Sequence, residues 1–145
     1  MDISLVVNKL SNCLRRRSAE IQKSVGVTGT QGMVLDYILM EGLTDKVCQK
    51  DIEREFGLRP STATELLQTM ELAGIIRRVP DSHDARRKNI EFTQQADDIR
   101  KALKVEMMET ESLLLQGITP EEHVMFLAVG QKMLHNLELC RKSHC

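Results

Sequence analysis

The chain has 145 residues, 41% apolar and 28% charged, with 20 Lys+Arg against 21 Asp+Glu and a net charge of −1. That length buries a core without metal or disulfide staples. Near-neutrality excludes a protein that coats nucleic acid by bulk charge, though not one with a local basic patch.

In chain order, Ile3, Val6, Leu10, Leu14, Ile21 and Val25 recur at steps that predict a long amphipathic first helix, ended by Gly26. Thr28 and Thr30 offer caps for a second helix through Met33, Val34, Tyr37 and Ile38 to Gly42. Leu43 to Cys48 reads as a short connection. A third helix spans Gln49 to Phe56, buries Ile52 and Phe56, and stops at Gly57. Pro60 opens a fourth, through Leu66, Leu67 and Met70 to Gly74. Ile75 to Val79 and Asn89 to Phe92 then read as two strands around a polar turn, Pro80 to Arg87. Thr93 caps a long helix through Leu103 and Leu114, broken at Gly117. Thr119-Pro120-Glu121-Glu122 is a capping-box pattern that starts the last helix. Aromatics are only 3% and Met numbers eight, so the core is Leu, Ile, Val and Met.

Gln49 to Leu67 has the form helix, Gly-containing turn, helix. The second helix would project Ser61, Thr62, Thr64, Glu65 and Gln68, short polar groups that can approach phosphates and base edges. A merely solvated helical hairpin has the same pattern. The following hairpin separates the two readings. Between Arg77 and Lys88, five basic residues (Arg77, Arg78, Arg86, Arg87, Lys88) stand against two acidic ones (Asp81, Asp84). Between Gln94 and Val124, seven acids oppose three bases. A basic tip on an acidic body orients a molecule toward a polyanion.

The run Asp84-Ala85-Arg86-Arg87-Lys88-Asn89-Ile90-Glu91-Phe92-Thr93 resembles the wing signature D-x-R-x-x-x-[VI]-x-[LF]-T of the MarR family of winged-helix regulators. It follows Ser61-Thr62-Ala63-Thr64, Met70-Glu71 and Gly74-Ile75-Ile76-Arg77 at the expected distance, and the flanking long helices match too. The resemblance implies a mostly α fold with a small β-hairpin wing, a winged helix-turn-helix. It implies a homodimer through N- and C-terminal helices that binds pseudo-palindromic promoter DNA. Residues 1–28 and 117–145 would be dimerisation helices, 29–93 the DNA-binding lobe, and 94–116 the connecting helix. Asp84 resembles the acid that pairs with a wing Arg and structures the wing. Arg86 resembles the wing-tip Arg of the minor groove, where a guanidinium is favoured by strong negative potential. Ser61, Thr62, Thr64 and Gln68 match recognition-helix positions, and Arg87 and Lys88 would add phosphate contacts.

Two residues depart from the family pattern. Arg59 stands where many relatives have Ser; it cannot accept the first helical N–H bonds, so the cap shifts to Ser61 or is lost, and Arg59 is a candidate phosphate ligand. Glu65 either accepts from cytosine N4 or completes a capping box with Thr62, the reading favoured by local pattern.

The apolar stripes of the first and last helices (Ile3, Val6, Leu10; Leu127, Met133, Leu134, Leu137) exceed what a small winged lobe covers. A second copy would cover them and set half-sites about 10 bp apart; an intramolecular bundle is the alternative. Cys13 lies beside Arg15, Arg16 and Arg17, and cations favour a reactive thiolate, so it is the candidate redox residue; a small buried apolar group is the plainer reading. Cys140, His144 and Cys145 form a terminal Cys-x3-His-Cys cluster, and no metal or other cofactor is expected. Family members also bind small aromatic effectors; Met33 and Tyr37 mark where one would sit, although such a pair is more often core.

No apolar run approaches the ~18 residues that cross a bilayer, and no export signal is visible, so a cytoplasmic protein with reduced thiols is expected. No catalytic triad, P-loop or dinucleotide fingerprint is present, so no catalytic residue is expected and the chain is not read as an enzyme. The sequence thus points to a DNA-binding regulator, a repressor released by a small-molecule or redox signal. The alternative is a winged-helix protein–protein module without DNA affinity.

Overall fold

Ile52, Leu67 and Met70 are fully buried, and they come from the two short helices whose spacing suggested a helical hairpin. A computed structural model describes residues 1–27, 29–42 and 45–143, with side chains to Cys140. The Thr28 cap, Leu43 and Thr44 of the connection, and His144 and Cys145 of the terminal cluster lie outside the described residues. The order is α1 (Ile3–Ser24), α2 (Gly29–Glu41), α3 (Gln49–Phe56), α4 (Pro60–Leu72), β1 (Ile76–Pro80), β2 (Lys88–Phe92), a 3-10 turn (Gln94–Ala96), α5 (Asp97–Leu114) and α6 (Pro120–Ser143). The fold is mostly helical with one small sheet, a winged helix-turn-helix.

Contacts divide the chain into two compact units, Met1–Met107 and Met108–Cys145. The core of the first is Val27, Val34, Leu35, Ile38, Val47, Ile52, Leu67, Met70, Ile76, Ile90 and Leu103. Burying one such Leu or Ile stabilises by about 1.5–3 kcal/mol. Spacing explains the helix faces: α4 buries Ala63, Leu67 and Met70 at i, i+4 and i+7. Tyr37 and Phe56 meet edge to face, with centroids 5.7 Å apart. Tyr37 is therefore part of the packing between α2 and α3.

Gly57 ends α3 at φ +62, ψ 35, a left-handed conformation that costs other residues more. Its N–H and that of Leu58 both return to the Glu53 carbonyl, the latter at 2.9 Å, and the chain turns into α4. Gly32 serves close approach. A Cβ there would lie 2.4 Å from Gln22 Oε1, so α1 and α2 touch through a buried glutamine.

The strands pair antiparallel from Ile76 opposite Phe92 to Pro80 opposite Lys88, one step further than the sequence suggested. Proline is tolerated at that strand end because no further strand needs its missing N–H. The Leu43–Cys48 connection differs more. Cys48 bridges to Asn89, and Ile90 N–H donates to the Val47 carbonyl at 2.7 Å. The segment before α3 thus edges the sheet, a pairing too short to leave any periodicity in sequence.

In the second unit, Gly117 takes φ +74. The Thr119–Glu122 box is formed: Glu122 N–H donates to Thr119 Oγ1 at 3.1 Å and Thr119 N–H to Glu122 Oε1 at 3.0 Å. These bonds hold the Glu122 carboxyl below its usual range. Val124, Met125, Phe126, Leu127, Leu134 and Leu137 of α6 are exposed on the single chain. No described helix is long and apolar enough to cross a membrane.

Candidate nucleic-acid interface

The outward face of α4 follows from its inward one. With Ala63, Leu67 and Met70 buried, helical spacing leaves Ser61, Thr62, Glu65, Gln68 and Thr69 exposed. Arg59 holds the N-cap position at φ −69, ψ 148, exposed and without a side-chain cap bond. The cap is lost at this residue, and Pro60 at N1 removes one of the N–H groups that would need it. Thr62 is the third residue inside the helix, so it cannot cap, and the expected Thr62–Glu65 capping box does not exist.

Thr64 departs from expectation. It is half-buried; its hydroxyl donates to the Pro60 carbonyl at 2.8 Å and accepts from Gln49 Nε2 at 2.9 Å. Gln49 Oε1 in turn accepts from Arg78 at 3.1 Å, and Arg78 Nε donates to Glu71 at 2.9 Å. One chain of polar contacts therefore joins α3, α4 and β1. Thr64 and Arg78 hold the lobe together rather than face outward, because α3 packs over that side of α4.

The turn between β1 and β2 is organised by Asp81, which the sequence reading passed over. Its Oδ2 accepts from the backbone N–H groups of His83 and Asp84, both at 3.0 Å. Its Oδ1 accepts from the buried Asn89 side chain at 2.8 Å. The Asn89 bond and then the two backbone bonds pull the Asp81 carboxyl down to about 2. An Asp two and three residues before free N–H groups is the usual signal for such a turn. Asp84 makes a smaller contribution, accepting from Arg86 N–H at 3.0 Å and standing 3.7 Å from Arg86 Nε.

The three cations at the wing have different environments. The Arg86 side chain is 96% exposed. Lys88 is exposed as well. Arg87, expected among the phosphate contacts, is bonded within the lobe. It is half-buried and donates to the Lys46 carbonyl at 2.6 Å and to Asn89 Oδ1 at 3.1 Å, and it lies 3.5 Å from Asp51. Asp51 also accepts from Cys48 N–H at 2.9 Å and from Cys48 Sγ–H at 3.2 Å. Although burial opposes it, these bonds with those from Arg54 and Arg87 hold the Asp51 carboxyl below its usual range.

Cys13 is exposed, not buried, with one Arg16 N–H 3.3 Å from its sulfur. Among the described residues no group of three or more His, Cys, Asp or Glu side chains is arranged to hold a metal.

Residues 25–87 match the model of the MarR family. The transcription regulator MarR from Oenococcus oeni PSU-1 is 29% identical over 92% of this chain and 99% of its own, with a TM-score of 0.72. MepR of S. aureus in its DNA-binding conformation is 26% identical over 94% and 99%, with a TM-score of 0.78. A MepR–DNA complex from S. aureus is 26% identical over the same shares, with a TM-score of 0.70.

Proposed function

We infer that this chain, a MarR-family winged-helix protein over residues 25–87, binds double-stranded DNA and regulates transcription. One observation carries the reading: α4, which leaves Ser61, Thr62 and Gln68 exposed, is tied through its half-buried Thr64 and Glu71, by Gln49 and Arg78, to a hairpin with Arg86 and Lys88 exposed. That is the combination a major-groove helix with an adjoining cationic wing requires. The likeness to a DNA complex of MepR supports it.

In this reading Ser61, Thr62 and Gln68 meet the major groove, Arg59 and Lys88 meet phosphates, and Arg86 enters the minor groove. Two copies act together, a state supported by the exposed apolar side chains of α6 and by Ile3, Leu5 and Val7 of α1. The dimer acts as a repressor by occupying a pseudo-palindromic site in a promoter. A small-molecule or redox signal releases it by changing the spacing of the two lobes; the exposed Cys13 thiol supports the redox branch.

Gel-shift titration of the full chain against its own upstream DNA tests the reading. Wild type should bind with a steep salt dependence. Arg86→Ala should weaken binding by about 1–3 kcal/mol without changing the melting temperature. Equal affinity of the two proteins across several salt concentrations would remove the wing from the account.

A further inference from the structure

We propose that Glu65 is a specificity-determining residue that selects cytosine in the major groove; the inference rests on the duplex-binding reading above. Helical spacing puts Ser61 and Thr62 one turn before Glu65, and Gln68 and Thr69 one turn after it, all exposed on one face. Glu65 is therefore central to that face. Of the two carboxylates on α4, Glu71 is bonded to Arg78 at 2.9 Å, whereas Glu65 has no side-chain hydrogen bond or ion pair among the described residues. The capping role that would have explained it is excluded, because Thr62 lies inside the helix. Thr69, its neighbour, already donates its hydroxyl proton to the Glu65 carbonyl at 2.9 Å.

A carboxylate is acceptor-only. Between two rows of phosphates it is repelled unless a donor receives it. The major groove offers two donors, cytosine N4 and adenine N6. Adenine carries the N7 acceptor beside N6, which opposes a carboxylate that approaches both. Guanine shows O6 and N7, and thymine shows O4, all acceptors. Cytosine alone presents its donor with no acceptor on the same base, its other major-groove neighbour on that ring being the C5–H. Glu65 thus discriminates in two ways: it bonds to cytosine and is repelled at the other bases.

The test is selection of bound sequences from a random duplex library with the full-length wild type, Glu65→Ala and Glu65→Gln. Wild type should yield one fixed cytosine per half-site, and changing that C·G pair to T·A should lower affinity roughly tenfold or more. Glu65→Ala should keep the other selected positions and lose this one. Glu65→Gln should move the preference to adenine, whose N6 and N7 match a carboxamide. Both variants should melt with wild type, since the side chain supports nothing in the fold. A cytosine retained by Glu65→Ala, or a wild-type pool with no fixed cytosine, overturns the assignment while duplex binding stands. A wild type that binds no duplex at any salt concentration overturns the parent reading and this inference together.

Discussion

Arg87 of the hairpin lies 3.5 Å from Asp51 in the first turn of α3, and its guanidinium also donates to the Lys46 carbonyl at 2.6 Å. Residues 36 and 41 positions apart in sequence thus fasten the wing to the start of the helix-turn-helix. Arg86, one residue earlier, has its side chain in solvent. The two neighbouring arginines have separable roles.

Arg87→Ala should lower folding stability by about 1 kcal/mol, because it removes the charged donor to the Lys46 carbonyl and to Asn89 Oδ1 and leaves Asp51 with Arg54 as its cation. Urea denaturation followed by circular dichroism reads it. Loss of DNA affinity should accompany it through a loosened wing. A variant as stable as wild type would mean that the guanidinium contacts do not support the fold.

Arg59→Ser should do the opposite to stability. The N-cap backbone already has the extended geometry that a serine cap uses, so the hydroxyl can accept from α4's free N–H groups and add about 1 kcal/mol. If Arg59 meets a phosphate, the same change lowers DNA affinity and reduces the slope of log K against log salt by about one. A more stable variant with an unchanged slope would show that Arg59 makes no such contact.

Asp36 is buried between α1 and α2, with Gln22 Nε2 donating to its Oδ2 at 2.8 Å and its Oδ1 without a hydrogen-bond partner in the described structure. Burial first, opposed by the Gln22 bond and reinforced by the Glu106 carboxylate, pushes its pKa up to about 6. Glu106 itself faces Arg17 of α1 at 3.5 Å. A raised folded pKa means that this group's contribution to stability is full below the ordinary value near 3.8 and is lost as pH rises through about 6. Asp36→Asn should therefore be more stable than wild type at pH 8 by about 1–3 kcal/mol and should flatten the fall in stability between the ordinary value of 3.8 and about 6. Denaturation curves at a series of pH values would reveal a wild type with no such slope if the reading is wrong.

Asp81 has the reverse sign. Its folded pKa of about 2 lies below the ordinary 3.8, so its support for the turn is present above that ordinary value and lost as pH falls through about 2. The amide signals of His83 and Asp84 should shift with that midpoint in an NMR titration, and Asp81→Ala should shift them at neutral pH. A midpoint near 4 would mean that the Asn89 bond does not hold the carboxyl.

Phe126 of α6 is 65% exposed on the single chain. Phe126→Glu should convert a dimer into monomers in sedimentation velocity and lower operator affinity, since two half-sites are then no longer held together. A wild type that sediments as a monomer at micromolar concentration would exclude the dimer.

Helices α1 to α6, the hairpin and the faces that α3 and α4 bury were legible in the sequence, because periodicity, caps and glycine stops are local properties written within one turn or one strand. The exposure of Ser61, Thr62, Gln68, Arg86 and Lys88 followed the same local rule. What only the tertiary structure decided lies in contacts between distant segments. Thr64 was drawn inward by Gln49, Arg87 by Lys46 and Asp51, and the segment before α3 by Asn89. Long polar side chains adopt whichever partner the packing of other elements brings within about 3 Å. Local spacing carries no information about that partner.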